Sequence, residues 1–455
     1  MQAVGPRDRS GGSHRPPRCG RPAPALRAAV APARGLTARL LLAALLLVLG
    51  CSAEPRSSGV TLVFKHAHII GPVDPIPSLL RAFEADHPGV RVTSESLPWS
   101  SDEQHQFYAI NLEGASAGFD VMMLDLIWVP EFARAGWLLD LSPFVDAQGL
   151  SPYFPSAASA ATSAGRVWAL PWNMNAGLLY YRADLLAKYG LRPPETWDEL
   201  VADVQRIKAG ERDPRLDGYV WQGKQYEGMM VNVLEAFWAS GTTLLGDDGR
   251  LFPHPERAAD ALAFLRGLIE SGISPAWVTA ADEELSRRAF GDGHAIFLRN
   301  WPYALDLFRG PNSDLRDKVG IARLPRRTPD GAGAGSTGGA HLGVSKRSAY
   351  PELAVALARF LTGARAQKDM MARAALYPTR EALYQDPDLV RDHPALPRIH
   401  TLMLAGRPRP VTPHYLVLST TLQPEFSAVL VGIKPARRAI DDGRRRLEHF
   451  LGSAR

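Results

Sequence analysis

Apolar and polar positions along this chain alternate in two periods, and the switch between them recurs from residue 60 onward. Val60-Thr61-Leu62-Val63-Phe64 is a β-branched apolar run, which predicts a strand. From Pro77 to Asp86 the spacing of Leu79, Leu80 and Phe83 puts them on one helical face. Val90-Arg91-Val92, after the His87-Pro88-Gly89 turn, reads as a second strand. Strand, helix, strand is the order of a parallel α/β sheet. The alternation continues with a strand over 121–124 that runs through an aromatic turn into a helix. Pro171 to Tyr181 opens on Trp172, Asn173 and Asn175 and becomes an apolar strand. Arg182 to Gly190 reads as a helix stopped by its glycine, and Thr196 with Glu199 three residues later forms a capping box.

The second half repeats these signals. Gly218 to Gly223 predicts a strand, Met229 to Ser240 an apolar helix, 256–272 an amphipathic helix and Ala280 to Phe290 another. Gly293 to Ala304 is a strand leading into a Trp-Pro turn. His341 to Ser345 is a further strand, with helices over 351–362 and 364–376. The last helix, Pro435 to Leu451, carries Arg444, Arg445 and Arg446 beside Asp441, Asp442 and Glu448, a solvated face with neutralising partners. No internal repeat is present.

Residues 1–50 break this pattern. They are rich in Arg, Pro and Gly and end in Leu40 to Gly50, a run too short for a membrane span, which needs about 20 residues. A basic segment followed by a short apolar one predicts a secretory signal. Val48-Leu49-Gly50-Cys51 is similar to a bacterial lipobox, so Cys51 is the expected lipidation site and residues 51–58 a polar tether. A plain secretory signal with an incidental cysteine is the alternative. Removing this segment reverses the charge. Its eight Arg and one Asp give +7, so the remainder carries −2 against +5 for the whole chain. Nucleic-acid binding loses its support. Cys19 and Cys51 are the only cysteines, which excludes disulfides, thiol catalysis and Cys-ligated metal from the mature chain. About 400 residues suggest roughly two domains.

The polar chemistry gathers at strand ends. Trp172 offers a flat face for sugar C–H groups, and the carboxamides of Asn173 and Asn175 both donate to and accept from hydroxyls. Asp125 ends the strand 121–124, where α/β sheets place ligands, and an ionised carboxylate there accepts two hydroxyl hydrogen bonds; the alternative is an N-cap role. Asp120 with Asp125 could form a glycosidase pair, but at that spacing on one strand they face opposite sides. His66 and His68 lie two apart on a strand and point the same way. Without a third ligand nearby they read as cleft-mouth or surface residues rather than a metal site. Gly333, Gly335 and Gly338 spell G-x-G-x-x-G, yet no strand precedes them and no helix follows, so the stretch Gly331 to Gly339 predicts a flexible loop delivering Gly339 and Ala340. No zinc spacing, Ser-His-Asp signature or cofactor fingerprint occurs, and no cofactor or metal is expected.

Four blocks resemble one family in order: Leu79 to Val92, Met123 to Phe144, Pro171 to Leu200 and Arg299 to Ala304, with Tyr377 to Arg380 beyond. They are similar to the extracellular solute-binding proteins of bacterial ABC importers, family 1, in particular the trehalose/maltose-binding lipoproteins. The resemblance covers nearly all the mature chain. It implies an α/β, two-lobed periplasmic-binding-protein fold of type II with the ligand cleft between lobes. One lobe would comprise 59–168 plus 318–362 and the other 169–317 plus 363–455, with hinges near 168–170, 317–320 and 362–364. It also implies sugar contacts from Asp125, Asn173, Asn175, Trp301 (by stacking), Gly339 and Arg409, whose guanidinium can fork across hydroxyls or pair with Asp125. Trp172, Tyr303, Ala340, Arg380 and His68 are accessory candidates, with Trp99 and Tyr226 as further helpers. Asn175 stands where relatives carry Asp, and Ala340 where they often carry Trp. The expected function is capture of a disaccharide such as trehalose or maltose and delivery to ABC permease transmembrane subunits, by an exported monomer held to the cell envelope through its lipid anchor alone. Another carbohydrate or polyol derivative, or a secreted glycoside-acting enzyme, are the competing readings.

Overall fold

A computed structural model describes residues 59–69, 73–98, 100–114, 118–145 and 148–453. The signal-like segment, Cys51 and its tether, Gly71-Pro72 and Trp99 lie outside the described residues. In chain order, β1 (Val60–Ala67) is followed by α1 (Ile76–Asp86), β2 (Val90–Leu97), α2 (Ser101–Glu113) and β3 (Val121–Asp125). After α3 (Val129–Arg134) come β4 (Ala169–Ala176), β5 (Leu178–Arg182), α4 (Trp197–Glu211), β6 (Asp217–Val220), α5 (Glu227–Ala239), α6 (Pro255–Glu270) and α7 (Glu283–Gly291). The remainder is β7 (Ala295–Asn300), β8 (Val319–Ala322), β9 (Ser336–Val344), α8 (Pro351–Leu361), α9 (Ala364–Ala374), β10 (Arg407–Pro408), α10 (Tyr415–Leu430) and α11 (Ala436–Ser453).

These strands form two separate sheets. In the first the order is β10-β9-β3-β1-β2, with β4 on the other edge of β9. Strand β1 runs parallel to β2 and β3, while β9 returns antiparallel between β3 and β4. The second sheet has the order β8-β5-β7-β6. Strand β3 is covered on both faces, which explains the unbroken apolar run Val121-Met122-Met123-Leu124. Leu62, Phe64, Leu342 and Val344 pack with Leu80 and Phe83 of α1 and Leu357 and Leu361 of α8. Met122 and Leu124 meet Tyr108 of α2 and Trp128 and Phe132 on the opposite side. A larger core around Leu179, Val220, Phe297 and Leu298 joins α5 and α10 in the second lobe. Each such side chain taken fully from water contributes roughly 1.5–3 kcal/mol.

Local signals decide where several elements begin. The Thr196 hydroxyl accepts from Glu199 N at 3.2 Å and the Glu199 carboxylate returns to Thr196 N at 3.0 Å, the reciprocal box expected there. Asp282 accepts from Leu285 N at 3.0 Å, so α7 begins at Glu283 instead of Ala280, and Ala276–Ala280 is a separate 3-10 turn. On α4, Asp203 is only 8% exposed, and burial, assisted by the Glu199 charge, pushes its carboxyl up to about 6. A folded-state pKa above the unfolded one means that stability falls as pH rises from about 4 to about 6 and is flat beyond. Asp203→Asn is therefore expected to gain roughly 1–2 kcal/mol at pH 8 and almost nothing at pH 4. Urea denaturation at both pH values checks this; an equal gain at both would refute it.

Three expectations are corrected by long-range pairing. Ser336 to Gly339 belongs to β9 and is hydrogen-bonded to β4, so the C-terminal part of the glycine stretch is sheet, not flexible loop. Residues 169–176, expected in the second lobe, pair with β9 in the first sheet, whereas 319–322, expected in the first, pair with β5 in the second. The chain leaves the first sheet at Gly177 rather than at 168–170, returns to it at Gly335, after β8, instead of 317–320, and α9, beyond 362–364, still packs Ala366, Met370 and Ala374 into the first core. Finally, β1 ends at Ala67, so His68 leaves the strand and is exposed, while His66 is buried with its ring nitrogen 2.7 Å from Ala67 O.

Candidate ligand-binding site

Two strand registers assemble the site. Ala340 of β9 lies opposite Asp125 of β3 on one edge and Asn173 of β4 on the other, and Gly338 lies opposite Asn175. Arg409 directly follows β10, which pairs with Ser336 and Thr337 on the same edge of β9 as β3. Residues far apart in sequence thus line one cavity of about 210 Å³, walled on the far side by Tyr226, Glu283, Trp301 and Tyr303. Gly339 has φ +131°, and a Cβ there would overlap the carbonyl of Asn173, so β9 passes this point only as glycine.

Arg409 is the electrostatic centre. Its guanidinium is 3% exposed and donates from Nη2 to Asp125 Oδ1 at 2.6 Å and from Nη1 to Glu227 Oε1 at 2.8 Å. Burial works against its charge, but the Asp125 and Glu227 carboxylates outweigh that and hold its pKa above the ordinary value. Burial pushes the Glu227 carboxyl up, opposed first by Arg409, and Tyr415 and Ser419 donate to it at 2.7 and 2.6 Å. Asp125 fills both roles considered for it. It accepts from Ile127 N at 3.3 Å as the N-cap of a 3-10 turn and also from Ser101 Oγ at 3.4 Å and Arg409.

Asn173 and Asn175 lie on one side of β4, both half-buried, and Asn175 Oδ1 is buried without a hydrogen-bond partner. Trp172 faces the opposite side of the strand, fully buried in a T-shaped contact with Phe64 at 5.9 Å, so it backs the cavity instead of opening a stacking face at its mouth. Its Nε1 also has no partner. Trp301 is half-buried, with the Arg299 guanidinium 3.9 Å from its ring centre and its Nε1 donating to Glu283 Oε1 at 3.3 Å. Tyr226 donates to the other Glu283 oxygen at 2.6 Å, and Tyr303 to Glu284 at 2.9 Å. Ala340 and the exposed His68 also line the cavity.

Arg380 is not brought to the cavity. It donates to Thr362 O at 3.0 Å and Tyr153 OH at 3.1 Å and stacks on the Tyr153 ring, fastening the segment after α9. Glu227, Glu283 and Tyr377, which line the cavity, escaped the sequence reading of the site. Glu227 opens a helix whose residues are all buried, and a lone glutamate before an apolar run carries no local sign of burial beside Arg409. Asp120 sits before β3, at its far end from Asp125, accepting from Val63 N at 2.8 Å and Ser348 Oγ at 2.5 Å. That removes the glycosidase pair. Among the described residues, no group of three or more His, Cys, Asp or Glu is placed to hold a metal ion. What the site presents is an aromatic face, carboxamides and carboxylates held by one guanidinium, a set that recognises hydroxyl groups.

The family described as bacterial extracellular solute-binding protein matches residues 71–368. A probable ABC transporter-binding protein of Deinococcus radiodurans is 36% identical over 330 residues, covering 71% of this chain and 77% of the relative. A mannitol-binding protein of Pseudomonas aeruginosa is 27% identical over 170 residues, covering 35% of this chain and 38% of its own length. Among solved structures, maltose-bound MalE3 of T. maritima is 35% identical with a TM-score of 0.81, covering 86% of this chain and 100% of that one.

Proposed function

Because the chain belongs to the bacterial extracellular solute-binding proteins, which bind solutes and do not transform them, we propose that it is the sugar-binding component of an ABC importer. Its ligand is a disaccharide such as maltose or trehalose, held in the cavity between the two sheets and passed to the permease transmembrane subunits. Two buried polar atoms without partners carry this reading: Asn175 Oδ1 and Arg409 Nε, both on residues that line the cavity. An unsatisfied buried group costs about 1–3 kcal/mol, and a ligand bearing many hydroxyls, directly or through water, offsets that for donors and acceptors alike. The half-buried indole of Trp301 supplies an apolar face for the C–H groups that sugar rings present to binding sites. The likeness to a maltose-bound protein that is 35% identical supports a disaccharide. Closing of one lobe on the other around the ligand creates the surface read by the permease. The protein is exported, and acylation at Cys51 anchors it to the cell envelope as a monomer.

A smaller polyol or another carbohydrate is the second reading, favoured by the small Ala340 side chain and the neutral Asn175. The test is a thermal-shift screen of the protein against disaccharides, monosaccharides and polyols. Maltose or trehalose at a hundredfold excess over its Kd is expected to stabilise by about 2.7 kcal/mol. Trp301→Ala is expected to weaken that binding ~30-fold, an effect of about 2 kcal/mol. A shift with mannitol or ribitol alone selects the second reading. A folded protein that responds to no sugar or polyol sinks both.

A further inference from the structure

The chain passes between the two sheets where Gly177 joins β4 to β5 and where Gly335 leads into β9. These backbones touch. Gly177 N donates to Ser336 O at 3.0 Å, and Arg407 N, at the start of β10, donates to Gly335 O at 2.9 Å. A Cβ on Gly177 would overlap the Glu235 carboxylate and the Arg299 guanidinium, so this buried pair is seated directly against the crossing. Arg299 is 0% exposed and Glu235 5%. The carboxylate grips the guanidinium at two points, Nε to Oε2 at 2.9 Å and Nη2 to Oε1 at 2.6 Å. Oε1 also accepts from Ser336 N at 2.8 Å, which ties the pair to the crossing strand itself. Nη1 reaches Gln222 Oε1 at 3.3 Å, so the plane of the guanidinium has no freedom left.

That guanidinium lies over the ring of Trp301, with its central carbon 3.9 Å from the ring centre. A buried ion pair adds little net stability compared with apolar packing of the same shape. What a doubly gripped guanidinium does supply is orientation, because it is flat and its hydrogen bonds allow one plane only.

We propose that Arg299 is a positioning residue: locked by Glu235 at the crossing between the sheets, its guanidinium holds the indole of Trp301 in the plane that faces the cavity and links that indole to the crossing strands. The ligand's stacking partner is thereby fastened to the part of the fold about which the lobes move. The inference rests on Trp301 being the sugar-stacking residue, and its test contains an arm that needs no ligand.

Two variants of the full-length protein separate positioning from folding. Arg299→Lys keeps a cation for Glu235 and removes the flat stacking group. Glu235→Gln combined with Arg299→Met removes both charges together, so no lone ion is left buried. Each is prepared with 5-fluorotryptophan, and the Trp301 resonance is assigned by its disappearance in Trp301→Phe. The unaltered chain is expected to show one narrow Trp301 line. In both variants that line broadens or divides while the other tryptophan lines stay in place. Maltose affinity, measured by calorimetry, falls ~10-fold with the melting temperature changed by only a few degrees. A Trp301 line that stays narrow and unshifted in a folded variant, with maltose affinity within twofold, overturns the proposal. If Arg299→Lys does not fold, the charge-free double variant decides alone. If the unaltered protein binds neither maltose nor trehalose, the disaccharide reading fails and the fluorine signal still decides the role of Arg299.

Discussion

Arg409→Ala is expected to abolish sugar binding and to lower stability by about 3–5 kcal/mol, the usual cost of removing one member of a buried ion pair. The reason lies in what the guanidinium leaves behind. Glu227 is buried and Asp125 nearly so, and each holds a separate Nη of the same side chain. Tyr415 and Ser419 still donate to Glu227 in the variant, but hydroxyl groups do not neutralise a carboxylate. Its pKa, already raised by burial, rises further once its largest opposing influence is gone. A carboxyl with a raised folded-state pKa makes stability fall as pH increases, so the loss is expected to be smaller at pH 5 than at pH 8. Urea unfolding at the two pH values, with calorimetric titration of the sugar, measures both effects. A variant that loses under 1 kcal/mol and still binds would show that Arg409 is peripheral.

Gly335→Ala is expected to cost roughly 3 kcal/mol or more, because its Cβ would overlap the carbonyl oxygen of Gly177. Neither backbone can withdraw without breaking a hydrogen bond, since Gly177 N is held by Ser336 O and Gly335 O holds Arg407 N. Gly267 provides the control. It lies inside α6 with nothing within 4 Å of the position a Cβ would take, so Gly267→Ala is expected to stabilise by about 0.5–1 kcal/mol. Thermal unfolding of the two variants side by side distinguishes a crossing that requires glycine from a general response to alanine. Equal and small changes would remove the argument that the crossing is closely packed.

The elements that the sequence made legible are those whose signals are local. Thr196 and Glu199 announce the start of α4 because the capping box closes within four residues. The apolar spacing of Leu79, Leu80 and Phe83 identifies the face that α1 buries. Asp125 at the end of β3 is singled out because α/β sheets place their chemistry beyond strand ends, a rule that needs only the strands. The resemblance to a family of sugar-binding proteins added Trp301, Arg409 and Gly339 as sugar contacts, roles that no local pattern assigns.

Other features had no local signature. The glycine stretch 331–339 looks like a loop because glycine is permissive; its last residues are strand because β4 and β10 pair with them. Arg380, in a turn that resembles the family's, was drawn instead to Thr362 and Tyr153.

Sequence by itself determined those strands and helices whose apolar period is local, caps such as Thr196 with Glu199, and which side chains stand at the ends of those strands. Those properties depend on neighbours a few residues away. The helices Ser101–Glu113 and Tyr415–Leu430 and the strand Val319–Ala322 carried no such signal. Tertiary structure alone decided which sheet each strand joins, where the chain crosses between sheets, and which charges are buried together. Arg409 lies 284 residues from Asp125 and 182 from Glu227, so nothing in the spacing of either pair records their contact. A buried charge is stable only where its partner arrives, and that arrival is a property of the folded chain.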